Sequence, residues 1–273
     1  MPTGLAGIGR LERRRQPASI GPATTLPRVH ATSAHRRFDR IDALRGLAIV
    51  WMTAYHFAFD LDHFGWIRQD FLHDPFWTTQ RSAIVSLFLF CAGLGQAVAF
   101  AQGQGWPRFW KRWAQVAGCA LLVTAGSALM FPGSFIYFGV LHGIAVMLVL
   151  VRLTAHWRAW LWLAGAVAIA LPLAAPPVHD ALGNLGMLNE RWLNWIGIIS
   201  VKPVTQDYVP LLPWLGVMWW GMAAGQWLLR ARPALVQGSL PRLLSPLAWM
   251  GRWSLSWYML HQPLLIGALL LAR

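Results

Sequence analysis

Residues 40–62 read RIDALRGLAIVWMTAYHFAFDLD. The middle of this stretch is apolar enough to enter a bilayer, yet it carries Asp42, Arg45, His56 and Asp60. On a helix turning about 100° per residue, Arg45 and His56 lie about 20° apart, and Asp42 and Asp60 fall on the same stripe with Thr53 between the ions. Lipid penalises an ionisable group by kilocalories, so a membrane helix that gathers such groups on one face turns that face toward protein. Asp42 and Arg45 taken alone are equally consistent with anchoring at the headgroups. His56 lies well inside the span, and the pattern predicts that the chemistry is organised here.

The rest of the composition agrees with a bilayer setting. The chain has 273 residues, is 56% hydrophobic and has a mean hydropathy of +0.45, which argues against a soluble globular domain. Charged residues make up 12%, about half the usual share. Eighteen tryptophans fit a chain with extensive bilayer interfaces. About seven apolar stretches approach the roughly 20 residues that a crossing needs, at about 43–61, 82–101, 113–131, 134–152, 157–175, 209–229 and 247–270. Phe131-Pro132-Gly133-Ser134 predicts a tight hairpin between the third and fourth, and 176–208, with Trp192 and Trp195, predicts a short interfacial helix. The expected fold is all-α and polytopic: a basic, disordered tail over 1–36, then one transmembrane domain over 37–273. A start codon placed too far upstream is an alternative account of the tail.

Charge placement sets the orientation. With the N-terminus cytoplasmic, that side receives the tail, Arg40, Arg45, Arg108, Lys111, Arg112, Arg152, Arg158 and the arginines at 230, 232, 242 and 252. The far side keeps Arg68, Arg81, Arg191, Lys202 and Arg273 but most of the acidic residues. This is a positive-inside distribution. The net charge of +13 therefore needs no nucleic-acid partner. Cys91 and Cys119 sit in apolar runs with no metal-ligand spacing, so no metal is expected.

Three of the nine histidines are intramembrane: His56, His142 and His261. Alternating span directions put all three in the middle-to-outer half of the bilayer. Gly139 and Gly143 flank His142 as a small-xxx-small pair that admits a neighbouring helix. Pro263 predicts a local helix distortion beside His261. Asp207 opens the sixth span where a carboxylate can meet the imidazoles. Each histidine singly reads as an interhelical hydrogen bond. Three at one depth, with Asp60 one turn after His56, read as a site in which an Asp–His pair holds one tautomer of a general base. The glycines of Ala92-Gly93-Leu94-Gly95 and the Trp219-Trp220 pair read as packing features.

Asp42-Ala43-Leu44-Arg45-Gly46-Leu47-Ala48 followed by His56 is similar to the first transmembrane helix of membrane acyltransferases. Four blocks extend the likeness: Tyr55-His56-Phe57 with Asp60-Leu61; Phe138-Gly139-Val140-Leu141-His142; residues 207–214, DYVPLLPW; and Gly251-Arg252-Trp253-Ser254-Leu255 leading to His261-Gln262-Pro263. From about Arg37 the chain resembles the bacterial DUF1624 proteins, which carry the heparan-alpha-glucosaminide N-acetyltransferase catalytic domain. The resemblance implies transfer of an acetyl or other acyl group from cytoplasmic acetyl-CoA or acyl-CoA to an acceptor across a bacterial inner membrane. It implies His56 as the catalytic residue, with His73 as a secondary candidate because the lysosomal acetyltransferase is similar to an arrangement with its active histidine in the following loop. This chain is shorter than that enzyme, which favours a bacterial envelope glycan or glycolipid as acceptor. Asp60, His142, His261 and Asp207 complete the expected catalytic set, and Arg45 and Asp42 the acyl-CoA site. Two other classes stay open. A b-type haem or quinone protein would use two of the histidines as axial ligands. A small proton-coupled transporter would use the ionisable stripe as its pathway, although no internal repeat supports that.

Overall fold

The computed structural model describes residues 38–181 and 185–272; the tail expected over 1–36 lies outside them. The helices are α1 (Asp39–His63), α2 (Pro75–Ala101), α3 (Trp106–Met130), α4 (Val140–Leu153), α5 (Trp160–Ala170), α6 (Ala175–Ala181), α7 (Trp214–Ala231), α8 (Pro233–Gln237), α9 (Ser245–Arg252) and α10 (Ser254–Leu271). Among the described residues there is no strand, and a parallel bridge pairs Phe138 with Tyr208. α2, α3, the helical run Trp160–Ala181 and α10 are long and apolar enough to cross a membrane. α1 is as long, at 25 residues, but carries the ionisable stripe.

Sequence-local causes set several ends. Asp74 caps α2 by accepting the Phe76 N–H at 2.8 Å, and Pro75 opens the first turn, where it forfeits no helical bond. Asp39 and Asp42 complement the positive N-terminus of α1. Long helices thus form over the first three apolar stretches, and of these α2 and α3 have the length and apolarity of a crossing. The fourth stretch forms a shorter one. α4 has 14 residues, about 21 Å of rise, against a hydrocarbon core of roughly 30 Å. Residues 134–138 run extended instead and are held by 205–209: Thr205 Oγ1 donates to the Phe135 carbonyl at 2.8 Å, Gln206 N to Ser134 O at 2.9 Å and Val209 N to Phe138 O at 3.3 Å. The polar groups of this non-helical backbone are thus satisfied by protein, as a lipid setting would demand. The same pairing delays the sixth span, so α7 begins at Trp214.

The seventh span is split at Trp253 into α9 and α10. α9 lies against the first turns of α1, where Gly46 faces the Leu247 carbonyl and Gly251 faces the Asp42 carbonyl too closely for any Cβ. α10 itself runs as one helix with Pro263 inside it.

Paired residues give the directions of the helices. Thr53 with Trp257, His56 with His261 and Asp60 with Gln262 make α1 and α10 parallel. Trp51 with Gln80 and Arg45 beside Gly95 make α1 and α2 antiparallel. Trp113 with Ala145 and Thr124 with His142 do the same for α3 and α4. α5 and α7 are antiparallel through Gly165 with Trp220 and Ile169 with Gly216. Phe90 against Gly221 and Ala97 against Gly225 make α2 and α7 parallel. Gly93 packs on Met218 and Met222 of α7, and Trp219 and Trp220 donate to Thr154 and to the Trp162 carbonyl, so these are packing features as read.

The exterior is apolar where a soluble protein would be polar. Leu121, Leu122, Leu129, Leu173 and Leu264 are more than half exposed, whereas Asp60 is 2% and His261 6% exposed. Polar groups inside and leucine outside is the arrangement that lipid favours.

Candidate active site

The stripe on α1 does face protein, along the seam with α9 and α10. At its N-terminal end Asp42 Oδ1 accepts from Arg45 Nη1 at 3.0 Å, and Arg252 of α9 reaches Asp39 at 3.0 Å and Asp42 at 3.9 Å. Thr53 accepts the Trp257 indole N–H at 2.9 Å, which ties α10 to α1. One turn further on, the rings of His56 and His261 meet edge to face with centroids 5.0 Å apart. Asp60 Oδ1 then accepts from Gln262 Nε2 at 2.6 Å. The expected Asp60–His56 pair is therefore replaced by Asp60–Gln262: α10 lies parallel to α1 and puts its amide, not the neighbouring imidazole, against the carboxylate.

The two histidines differ in their surroundings. A carbonyl can only accept, so His261 Nδ1 carries the proton that it gives to Tyr258 O at 2.8 Å. The neutral ring then presents a lone pair on Nε2, which is buried without a protein partner. His56 is half-buried and makes ring contacts with His261 and Tyr55. Edge-to-face packing at 5.0 Å does not leave two lone pairs facing across a slot, as axial haem ligands would need.

Along α1 from this pair toward Arg45 lies a cavity of about 280 Å³ lined by α1, α2, α3, α4 and α10. Arg45, Arg112, Gln96 and Gln104 line its part nearer the start of α1, while Phe88, Val140 and Tyr258 lie toward the histidines. Gly95 faces the Arg45 guanidinium, where a Cβ would stand 3.3 Å from Nη2. Tyr258 is the residue whose carbonyl fixes His261, so the cavity reaches the foot of the histidine pair.

His142 and Asp207 form a separate network on the α4 side. Gly139 N–H donates to His142 Nδ1 at 3.3 Å, so the ring proton is on Nε2, 3.0 Å from Thr124 Oγ1. Thr124 in turn donates to the Ile136 carbonyl at 2.8 Å. Both nitrogens of His142 are thus engaged, and it joins neither of the other histidines. Asp207 Oδ2 accepts the Val140 N–H at 2.7 Å and so caps α4 from a distant loop instead of meeting an imidazole. Burial pushes the Asp207 carboxyl above the usual carboxylate range, against the opposing pull of Val140 N–H. Gly139 lets the carboxylate in, because a Cβ there would collide with Asp207 Oδ2. Gly143 faces the Val209 carbonyl, so the glycine pair admits the 207–209 segment where a helix was expected. His73 is exposed and pairs with Asp70, 3.1 Å away.

Residues 37–263 match the family model described as Heparan-alpha-glucosaminide N-acetyltransferase, catalytic. The chain belongs to that family. No curated protein and no solved structure matches the chain. Membership of this acetyltransferase family and the apolar helices together make the chain a membrane protein with an acetyltransferase-type catalytic domain.

Within this heparan-alpha-glucosaminide N-acetyltransferase family domain, sequence reasoning missed three contributors to the cavity and seam. Arg112 was counted only as an inner-side charge, although it shares the cavity with Arg45. Tyr258 and Gln262 carry no signal in their spacing that the first lines the cavity and the second holds Asp60. A polar residue next to an intramembrane histidine, as in His261-Gln262, was the available clue.

Proposed function

We propose that the chain is an acetyltransferase of a bacterial inner membrane, with its N-terminus cytoplasmic and about seven spans, as the lengths of its apolar stretches require. It takes an acetyl or other acyl group from cytoplasmic acetyl-CoA or acyl-CoA and passes it to a sugar or glycolipid acceptor at the outer face. The observation that carries this reading is the cavity lined by two arginines and by Tyr258, whose carbonyl holds His261. Two guanidiniums lining one cavity repel each other until an anion joins them, and Arg forks suit phosphate. Asp42 is a poor phosphate ligand, being negative, and acts by holding Arg45. The rise from Arg45 to His56, about 16 Å along α1, suits an extended thioester arm. The helix directions alternate as a chain of seven consecutive crossings requires, and the basic residues gather at one end of them.

At the outer end the His56–His261 pair takes the proton from the acceptor's hydroxyl or amine. The freed lone pair attacks the thioester carbonyl, a C–O or C–N bond forms and the C–S bond breaks. The same proton then passes to the departing sulfur, and CoA leaves as its thiol. His261 is oriented for this by Tyr258 O, which leaves Nε2 as the accepting atom. His142 and Asp207 hold α4 and the outer segment in place around the cavity.

The test is thiol release from acetyl-CoA by detergent-purified protein, wild type beside His56→Ala and His261→Ala. Release by the wild type and its loss in both folded variants are expected. Full turnover in both variants would sink the assignment of the base.

A further inference from the structure

The last turn of α4 carries a guanidinium that ties two other helices together. α2 and α3 both pack on α4, and the 102–105 turn that joins them passes beside Arg152. Arg152 Nη2 donates to the Gln104 carbonyl in that turn. Its guanidinium carbon lies 5.7 Å from the centre of the Phe100 ring at the end of α2, and 5.5 and 5.9 Å from those of Trp106 and Phe109 at the start of α3. Cation–π attraction to the three rings holds the side chain across the gap. Among the described residues no carboxylate pairs with it, and Nη1 is buried without a partner. The N–H groups of Gln102, Gly103 and Gln104 bond back into α2, and the Arg152 bond fixes the turn to α4. Gly103 takes a left-handed φ of 65° and is exposed. Gln104, Phe109 and Leu148, the last one turn before Arg152, all line the cavity, so this tie sits on its wall.

We propose that the 102–105 turn is a gate on the cavity and that Arg152 is its latch. While Arg152 holds the Gln104 carbonyl, Gln104 and the Phe109 ring close this stretch of the wall. When the bond is given up, the glycine-containing turn swings and a ligand passes in or out. The ring faces keep the freed guanidinium in place, because their attraction does not depend on the Gln104 bond. Arg152 acts through the turn and is a positioning residue, so it sets how fast a ligand exchanges more than how tightly it binds. The ligand's identity rests on the acetyltransferase reading; the latch does not.

The experiment is the rate at which an anionic methanethiosulfonate reagent labels Ala92→Cys in detergent-purified full-length protein. Ala92 lines the cavity about two turns of α2 away from Ala99. Cys91→Ala and Cys119→Ala remove the native thiols. Arg152→Gln should speed labelling at least tenfold. Gly103→Val forces a β-branched residue into the left-handed region and should do the same with Arg152 intact. Lys202→Cys, exposed in the connection that approaches the opposite end of α4, should label at one rate in all these backgrounds. Acetyl-CoA should associate with and dissociate from Arg152→Gln faster by similar factors, with Kd within threefold of wild type. Unchanged labelling of Ala92→Cys in Arg152→Gln would overturn the gate, and equal acceleration at Lys202→Cys would replace it with a loosened fold. A weaker Kd carried by dissociation alone would also overturn it, making Arg152 a ligand contact. Loss of acetyl-CoA binding by wild type would instead strike the donor reading and leave the labelling to judge the latch.

Discussion

His56 and His261 meet edge to face at 5.0 Å across two parallel helices drawn from opposite ends of the chain. Two imidazoles this close do not both carry a proton readily, since two positive charges in a low-dielectric seam repel strongly. In the proposed mechanism the two rings therefore act together, with His261 Nε2 as the accepting atom and His56 packed against it.

Removal of either ring should lower acetyl transfer by about 10²–10⁴-fold, the usual worth of positioned acid–base catalysis. KM for acetyl-CoA should hold within about twofold, because neither ring lines the cavity. His142→Ala should differ in kind. It opens the links to Thr124 and Gly139 and lowers Tm, with a smaller effect on turnover per folded molecule. Thiol-release kinetics beside thermal melts separate the two patterns, and equal kinetic losses in His142→Ala and His261→Ala would contradict this division.

Arg45 and Arg112 should report on the donor's phosphates. Arg45→Gln or Arg112→Gln should each weaken acetyl-CoA binding about tenfold, as expected for one charge-assisted hydrogen-bonding partner. Acetyl-pantetheine, which lacks the phosphates, should bind all three proteins alike. The wild-type affinity should also fall with added salt more steeply than that of the variants. A matching loss for acetyl-pantetheine would move the arginines' role away from phosphate.

How much of this was legible follows from which forces act locally. The inward stripe on α1 could be read because 3.6-residue periodicity and the cost of charge in lipid both act within one helix. The end of α2 at Asp74-Pro75 is likewise a local signal. The partner of Asp60 was not legible, since Gln262 arrives only once α10 packs parallel to α1. Asp207 read as a site residue for the same reason: its carboxylate meets Val140 through pairing of two loops about seventy residues apart, which no periodicity encodes. Arg112 entered the charge pattern with no hint of the cavity, because facing helices alone decide that.

Asp207 makes a stability prediction with a definite sign. Its cap on α4 should be worth about 1–2 kcal/mol, so Asp207→Ala should lower Tm, whereas Asp207→Asn keeps an oxygen for Val140 N–H. Because burial raises the folded carboxyl above its unfolded value of 3.8, the folded state binds the proton more tightly. The wild type's contribution is then fully present below that value and is lost as pH rises through the folded pKa. Asp207→Asn should accordingly gain on the wild type as pH increases from about 4 toward neutrality. Melts of the two proteins across that range check it, and a gap that narrows with rising pH would mean that the Val140 bond outweighs burial.

The orientation across the membrane can be tested at two exposed residues, Arg242 between α8 and α9 and Lys202 in the 197–213 connection. Arg242 sits at the end where α7 finishes and α9 begins, beside the N-terminus of α1, which Arg252 bonds through Asp39. Lys202 sits beside the loop that caps the opposite end of α4. If basic residues remain cytoplasmic, Lys202→Cys should react with a membrane-impermeant maleimide in intact cells and Arg242→Cys should react only after permeabilisation. The background should be Cys91→Ala with Cys119→Ala, so that neither native thiol contributes. Inverted labelling would place the arginine end of the cavity outside, where acyl-CoA is not supplied, and would end the proposed direction of transfer. Labelling of both positions in intact cells would mean an even number of crossings between them, contrary to the antiparallel and parallel pairings of α1, α2, α7 and α10.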